Sequence, residues 1–353
     1  MGGRDIPIPQ NLPVLIKMSA IASQKKRLVP LLNHLCQISD STRQIKNDPI
    51  EFPHRYADPR DIEVVAWLSS TLAYGQVALF KATIEKILQI MGTSPYRYLC
   101  RLDPKRERPQ FDGIYYRFAT TEDIFCLVVL MSEVVKRYGT VGELFGFLYV
   151  EEGSVKGALA QFVRTVSSLR PVWMKREITQ GLCHLFPDVE KGSACKRFNL
   201  FLRWMVRPKD GMDFGLWKTI PPAALTIPLD THIHRISGYL GLTHRKTADW
   251  KTAEEITSHL RRFDPVDPLR YDFALCHLGI SDACPIKPDR DKCVGCPLVD
   301  GCHRGWLLTS RFLRKQPIPA YGSNALPALL SVKAETNKRL ITYNHLPHQR
   351  IIP

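Results

Sequence analysis

Four cysteines near the C-terminal end, Cys284, Cys293, Cys296 and Cys302, are spaced C-x8-C-x2-C-x5-C. Thiols packed into one short segment point to a single metal centre closed by that segment, and no other feature constrains the chain path as tightly. A zinc ribbon brings two separate C-x2-C knuckles together across a hairpin. Here one C-x2-C is flanked on each side by a single cysteine at longer reach. Four thiolates in a compact loop suit a [4Fe-4S] cluster, which takes one sulfur ligand per iron. Zinc stays open as the alternative on ligand chemistry, and four unrelated core cysteines as the bland one.

The rest of the composition predicts a soluble, intracellular chain. Its 353 residues allow two domains with sizeable cores. No stretch approaches about eighteen uncharged apolar residues, so no membrane span is expected. The N-terminal segment lacks a secretory layout, and Ile6 stands where a myristoylation signal wants Ser or Thr. Ten cysteines without an export signal read as thiols kept reduced apart from those on metal, which predicts a cytoplasmic protein. Lys and Arg exceed Asp and Glu by fifteen. That excess favours polyanionic partners, nucleic acid before a membrane surface.

Periodicity predicts a mostly helical fold. Asp58-Pro59-Arg60-Asp61 is a helix start, with a cap, a first-position proline and an acid in the first turn. Ile62, Val65, Leu68 and Leu72 follow at helical spacing. Further helices are expected over 79–91, 121–138, 154–166, 193–206, 253–262 and 269–278. Segment 101–116 is charged, contains Pro104 and Pro109, and reads as loop with a short extended piece. Residues 1–19 are expected as a flexible extension and 313–353 as a loosely ordered basic tail, with Met18 an alternative start.

A second site is Leu229-Asp230-Thr231-His232-Ile233-His234-Arg235-Ile236, which follows Pro221, Pro222 and Pro228. Asp230 is placed to cap the helix it opens, and capping is also the structural reading of that residue. His232 and His234, two residues apart on a helix, point to different faces, which argues against a shared metal.

The phrases LDTHIHRISGYLGL and YDFALCHLGISDAC, followed by the four-cysteine loop, resemble the C-terminal half of the endonuclease III group of helix-hairpin-helix (HhH-GPD) DNA glycosylases. The family cluster motif is C-x6-C-x2-C-x5-C, so the chain departs from it in a wider first gap. Upstream, EVVAWLSSTLAYGQVALFKAT resembles the first barrel helix of that group and the turn after it. The likeness spans about 55–305 and weakens over 95–185. SACKRFNLFLRWMVR and DFGLWKTIPPAALTIPLDTH are most similar to an uncharacterised bacterial family, DUF2400, whose membership carries fold and ancestry without a settled activity.

The resemblance implies an all-α, two-lobed glycosylase fold acting on damaged double-stranded DNA, and a monomer is expected. Residues 20–55 with 225–312 would form the cluster lobe, and 56–224 a barrel lobe with a degenerate hairpin. The family lyases displace a damaged base with a lysine amine, helped by an aspartate. Asp230 matches the aspartate. The family string L-P-G-V-G-x-K is missing; its nearest equivalent is 186–196, which puts Lys196 at the nucleophile position. Lys191, Lys209 and Lys218 are rivals, and a lysine touching phosphate or water is the bland reading. Segment 207–222 would loop out, and Ala194 replaces the second hairpin glycine. Lys196 would need desolvation or a cationic neighbour, for which Arg197 is adjacent.

DNA contacts are expected from Lys287, Arg290 and Lys292 in the wide cysteine gap and from Arg304 after it, as phosphate grips; a solvated basic loop is the bland alternative. The wedge that fills the space of an extruded base falls near Leu72, Tyr74 and Gln76, although an apolar helix residue such as Leu72 is more often core. Trp204 and Trp217 are candidates to stack on the base, or to be core. Three functions follow as expectations: glycosylase with AP-lyase activity, monofunctional glycosylase, and non-catalytic iron–sulfur DNA-binding protein.

Overall fold

The computed structural model describes residues 12–39, 45–46, 48–171, 179–287, 289–305 and 307–308, with side chains from residue 23 onward. The expected basic tail, 313–353, lies outside the described residues, as do residues 1–11 of the expected N-terminal extension. The helices are α1 (Leu12–Ile38), α2 (Pro59–Leu72), α3 (Val77–Met91), α4 (Pro95–Arg101), α5 (Pro104–Glu107), α6 (Thr121–Tyr138) and α7 (Val141–Glu152). Then come α8 (Val155–Ser168), α9 (Gln180–Leu185), α10 (Lys196–Val206), α11 (Thr231–Leu240), α12 (Trp250–Phe263), α13 (Asp272–Ile280) and α14 (Arg290–Val294). Among the described residues there is no strand, only isolated antiparallel bridges at Tyr116↔Ala119 and Ser193↔Asp249. The all-α class expected from periodicity is the class observed. No helix among the described residues is long and apolar enough to cross a membrane.

The chain divides into two compact units. One comprises Met1–Gln37, Tyr239–Gly241 and Leu278–Pro353; the other comprises Ile38–Gly238 and Leu242–His277. The expected lobes were drawn differently: residues 38–55 and most of 225–277 fall with 56–224.

In the larger unit α2 is the axis. Every residue from Asp61 to Leu72 is buried, so this helix is surrounded rather than laid on a surface. Its two buried acids act as caps for other helices. Asp61 Oδ1 accepts the Tyr96 N–H at 2.8 Å, at the start of α4. Glu63 accepts the Val141 and Gly142 N–H groups, each at 2.8 Å, at the start of α7, and the Trp217 indole N–H at 2.6 Å. Buried donors at two helix N-termini are thus satisfied by carboxylates on the central helix. Around it Trp67, Phe145, Phe162, Phe198, Phe201 and Trp217 form a chain of edge-on and stacked rings. Trp204 and Trp217 are therefore core, 1% and 7% exposed. Trp204 has no face at the surface, and Trp217 reaches only a groove that holds neither Lys196 nor Asp230, so both follow the core alternative rather than base stacking.

Helices α6 and α7 start with capping boxes, Thr120 with Asp123 and Thr140 with Glu143. The segment 101–116 is less irregular than expected. Asp103 caps α5 through the Lys105 N–H at 3.0 Å, with Pro104 in the first turn. That is the same Asp-Pro signature that starts α2.

In the smaller unit α1 begins at Leu12, inside the segment expected to be a flexible extension. Its buried Leu28, Leu32 and Leu35 recur at helical spacing. A Cβ at Gly301 would come within 2.5 Å of Leu28 Cδ2 and 2.9 Å of Leu31 Cδ1. A glycine in the cysteine loop is therefore what lets α1 pack directly against that loop.

Candidate functional site

Lys196 is the first residue of α10, and the turn before it sets where its side chain starts. Gly192 takes φ +87°, and Cys195 sits in the left-handed region at φ 46°, a strained choice for a residue with a Cβ. Local bonds hold it there. The Cys195 N–H donates to Ser193 Oγ at 3.2 Å, and Asn199 Nδ2 donates to the Ala194 carbonyl at 3.0 Å. Immediately after Lys196, Arg197 is buried. It donates to the Thr71 carbonyl at 2.5 Å and to the His184 carbonyl. Burial pulls its guanidinium down to about 10.

Asp230 ends the proline-rich approach and caps α11. Its Oδ1 accepts the Ile233 N–H at 2.8 Å, and its carbonyl accepts the His234 N–H at 2.9 Å. The other oxygen, Oδ2, is 3.9 Å from Lys196 Nζ. It also accepts from the Cys276 thiol at 3.4 Å. The expected lysine and aspartate, distant in sequence, are thus side by side, with side chains 34% and 15% exposed. Of the rivals, Lys191 is ion-paired with Asp188 at 3.9 Å, and Lys209 and Lys218 are exposed. Among the described residues, Lys196 is the lysine paired with Asp230.

Behind this pair lies a buried ionic network that the sequence reading missed. Arg203 Nη1 donates to Asp272 Oδ2 at 2.6 Å, and its other nitrogens reach Asp213 at 3.2 to 3.3 Å. Arg207 bonds Asp213 and, through Nε at 2.9 Å, Asp267. Burial, opposed by Arg203, lifts Asp272 to about 6, and its Oδ1 has no hydrogen-bond partner. Burial first, then the charges of Asp230 and Asp272, push the Cys276 thiol well above its ordinary range. Asp272 and Cys276 stand one helical turn apart on α13, a spacing that was visible in YDFALCH. Without knowledge of what α13 packs against, nothing tied that spacing to Asp230.

His232 and His234 have separate partners: His232 Nδ1 lies 3.5 Å from Arg235 Nη2, and His234 Nε2 is 2.9 Å from the Arg245 carbonyl. Leu72 is fully buried core, so it is not available as a wedge. Tyr74 is half-buried, with its hydroxyl bonded to the Tyr116 carbonyl at 3.2 Å, and Gln76 is exposed. An open groove lined by Arg60, Glu63, Phe147, Val150, Trp217 and Lys218 among others includes neither Lys196 nor Asp230.

The four loop cysteines line one cavity. Asp289 Oδ1 caps α14 through the Asp291 and Lys292 N–H groups at 2.9 and 3.2 Å. Backbone bonds then run Cys293 N–H to the Asp289 carbonyl at 2.9 Å and Cys296 N–H to the Cys293 carbonyl at 3.2 Å. The Gly305 N–H points at Cys302 Sγ, 3.3 Å away. Burial and the other three cysteines push Cys296 up to about 11. Among the described residues no three His, Cys, Asp or Glu side chains are set around one ion. Of the expected phosphate grips, Lys287 and Arg290 are exposed. Lys292 is bonded to Asp282, and Arg304 lies 5.0 Å over the Tyr239 ring.

The chain belongs to the DUF2400 family, described as a protein of unknown function, whose model matches residues 48–281. Lys196, Asp230 and Cys276 lie within that span; the four loop cysteines lie beyond it. No curated protein and no solved structure matches the chain.

Proposed function

We propose that this protein is a helix-hairpin-helix DNA glycosylase with AP-lyase activity on a damaged base in duplex DNA, carrying a [4Fe-4S] cluster on its cysteine loop. The observation that carries the reading is Lys196 Nζ at 3.9 Å from Asp230 Oδ2. An amine at the start of one helix and a carboxylate at the start of another are paired in a partly exposed position, which is what a lysine nucleophile and its acid–base partner require.

The division of labour follows from the two oxygens of Asp230. Oδ1 is committed to the Ile233 N–H, which fixes the carboxylate in orientation. Oδ2 accepts the ammonium proton from Lys196, leaving the amine free to form a bond to C1′ of the sugar as the bond to the base breaks. The base departs with that electron pair and is protonated from the carboxyl of Asp230. Ring opening then gives a Schiff base on Lys196, and loss of a C2′ proton expels the 3′-phosphate by β-elimination. Arg197, bound to two carbonyls, supplies a fixed positive charge next along the helix.

Cys284, Cys293, Cys296 and Cys302 would hold the cluster, which supplies structural closure of the loop. The donor set, four thiols in one short segment, suits such a group. Four sulfurs on one zinc at about 2.3 Å would stand roughly 3.8 Å apart, whereas a cubane spreads them by giving each its own iron. The four thiols line one cavity. Burial first and then their mutual repulsion push Cys296 up, and a cationic centre that takes the four as thiolates would offset both.

The test is borohydride trapping of the full chain on duplexes carrying an abasic site, 8-oxoguanine or an oxidised pyrimidine. The reading expects a covalent adduct that is lost in Lys196→Gln. An adduct that survives that change moves the nucleophile to another lysine. With no adduct on any duplex the lyase reading falls, and base-release assays separate a monofunctional glycosylase from a non-catalytic DNA-binding protein. A colourless preparation holding one zinc would replace the cluster.

A further inference from the structure

The reaction proposed for Lys196 and Asp230 leaves unused two groups behind them, Cys276 and Asp272, one turn apart on α13. The Cys276 thiol donates to Asp230 Oδ2 at 3.4 Å, and this is the oxygen that faces Lys196 Nζ at 3.9 Å. Asp272 is 2% exposed. Its Oδ2 accepts from Arg203 Nη1 at 2.6 Å, while Oδ1 has no hydrogen-bond partner among the described residues. A buried carboxylate oxygen left without a donor is costly.

Helix geometry brings the two together. Side chains on a helix tilt towards its N-terminus, so the thiol of Cys276 leans over the turn that carries Asp272. Asp230, Asp272, Lys196 and Asp48 are the charges that bear on the thiol, and Arg203, Asp230 and Asp213 those that bear on Asp272. Burial first, and then the neighbouring carboxylates, keep the proton on sulfur, so Cys276 is a donor and not a nucleophile. Its single hydrogen rotates about the Cβ–Sγ bond, and its sulfur accepts only weakly. A fixed donor such as a backbone N–H favours the ionised form of a carboxylate at every stage of a reaction. A rotating donor does not.

We infer that Cys276 is a positioning residue for Asp230, a two-way donor whose S–H serves Oδ2 while Asp230 is ionised and turns to Asp272 Oδ1 once Oδ2 has taken a proton. The inference rests on the proposed proton exchange between Lys196 and Asp230, and deepens it. The proton that leaves the Lys196 ammonium goes to Oδ2, its electron pair stays on nitrogen, and the proton later departs with the base. The S–H bond is not broken at any stage; only its direction changes, so no charge passes through the thiol. In its second position the thiol satisfies the buried Asp272 oxygen that otherwise lacks a donor. Its sulfur then faces the new Asp230 hydroxyl as a weak acceptor, which holds that proton loosely enough to be passed to the leaving base.

The experiment reads the S–H stretching band of Cys276 in the full chain, by infrared difference spectroscopy of each protein against its own Cys276→Ser counterpart. It is run at a pH of about 8, where Asp272 is ionised. Wild type should show a band lowered by bonding to a carboxylate. In Asp230→Asn the band should stay lowered, because the thiol turns to Asp272. In Asp230→Asn/Asp272→Asn it should rise to the position of a thiol without an anionic acceptor. A band that is not lowered in wild type, that rises fully in Asp230→Asn alone, or that stays lowered in the double variant overturns the inference and leaves the functional reading standing. Asp230→Asn alone decides if the double variant does not fold. Borohydride trapping on an abasic duplex gives the second readout. Its initial rate should fall about tenfold in Cys276→Ala and return to within about threefold of wild type in Cys276→Ser, whose hydroxyl keeps the donor. An unchanged rate in Cys276→Ala also overturns the inference. A wild type that forms no adduct overturns the functional reading, and the role of Cys276 in the reaction with it, whatever the bands show.

Discussion

The Lys196–Asp230 pair and the cysteine loop are built on different principles. The pair comes from two helix starts far apart in sequence, and beyond the local caps and turns it is tied down by long-range bonds: the Cys276 thiol on Asp230, the Arg197 bonds to the Thr71 and His184 carbonyls, the Arg203 bridge from α10 to Asp272 on α13. The cysteine loop is held mostly by bonds between residues two to four apart, in short turns and the five-residue α14. A site of the first kind persists as long as the core does. A site of the second kind has only its packing on α1 besides, so with the proposed metal the two should respond differently to loss of metal and to loss of packing.

The sharpest break in that comparison is Cys296→Ser. If the loop holds the proposed cluster, removing one of the four thiols should cost it the metal, the colour and the hydrogen-exchange protection of residues 284–302, since binding energy at a structural centre is folding energy. Protection in α10 should change by less than about 1 kcal/mol. Collapse of both together would show that the loop is not a separately held element. The complementary break is Arg203→Met, which leaves Asp272 buried without its cation and Asp213 with Arg207 alone. Removing one partner of a buried pair costs about 3–5 kcal/mol. Urea unfolding should show that loss, and a change under about 1 kcal/mol would mean that the network is not what holds α10 to α13.

A milder change separates chemistry from packing at the pair itself. Asparagine caps a helix about as well as aspartate, so Asp230→Asn should alter stability by less than about 1 kcal/mol. The exposed-side ion pair with Lys196 contributes little beyond that. The borohydride adduct should nevertheless be abolished or nearly so. If the adduct keeps wild-type yield, Asp230 is only a cap.

What was legible in the sequence follows the same division. The cysteine spacing was readable because a local site is written locally. Asp58-Pro59 announced α2, and Asp230 was recognisable as a cap from its neighbours alone. The same Asp-Pro signal at Asp103-Pro104 was passed over because the surrounding charge suggested loop. Helix α7 was missed although Thr140 and Glu143 spell a capping box, because its apolar residues lie all round it and give no single stripe. In α1, Pro30 hid a long helix. The Arg203 network and the Cys276 contact could not be read at all. An arginine among apolar residues looks like an exposed side chain until the fold brings Asp213 and Asp272 against it.

The smallest expected effect concerns the turn that leads into Lys196. His184, in α9, has a ring held down to about 4 by burial and by the charges of Arg197 and Arg117. Its Nε2 is buried without a partner. Because the folded value lies below the ordinary 6.5, the unfolded chain binds the proton more readily between those two values. The contribution to stability is therefore complete above about 6.5 and is lost as pH falls towards about 4. The ring is half-exposed, so solvent screening reduces the effect to on the order of 1 kcal/mol. In His184→Gln that part of the acid sensitivity should vanish, while stability at pH above about 7 stays within about 0.5 kcal/mol of wild type. Urea unfolding at both ends of the window measures it. An identical pH slope in the variant would mean that protonation at the hairpin is not coupled to folding, and that Arg197 tolerates a second cation beside it.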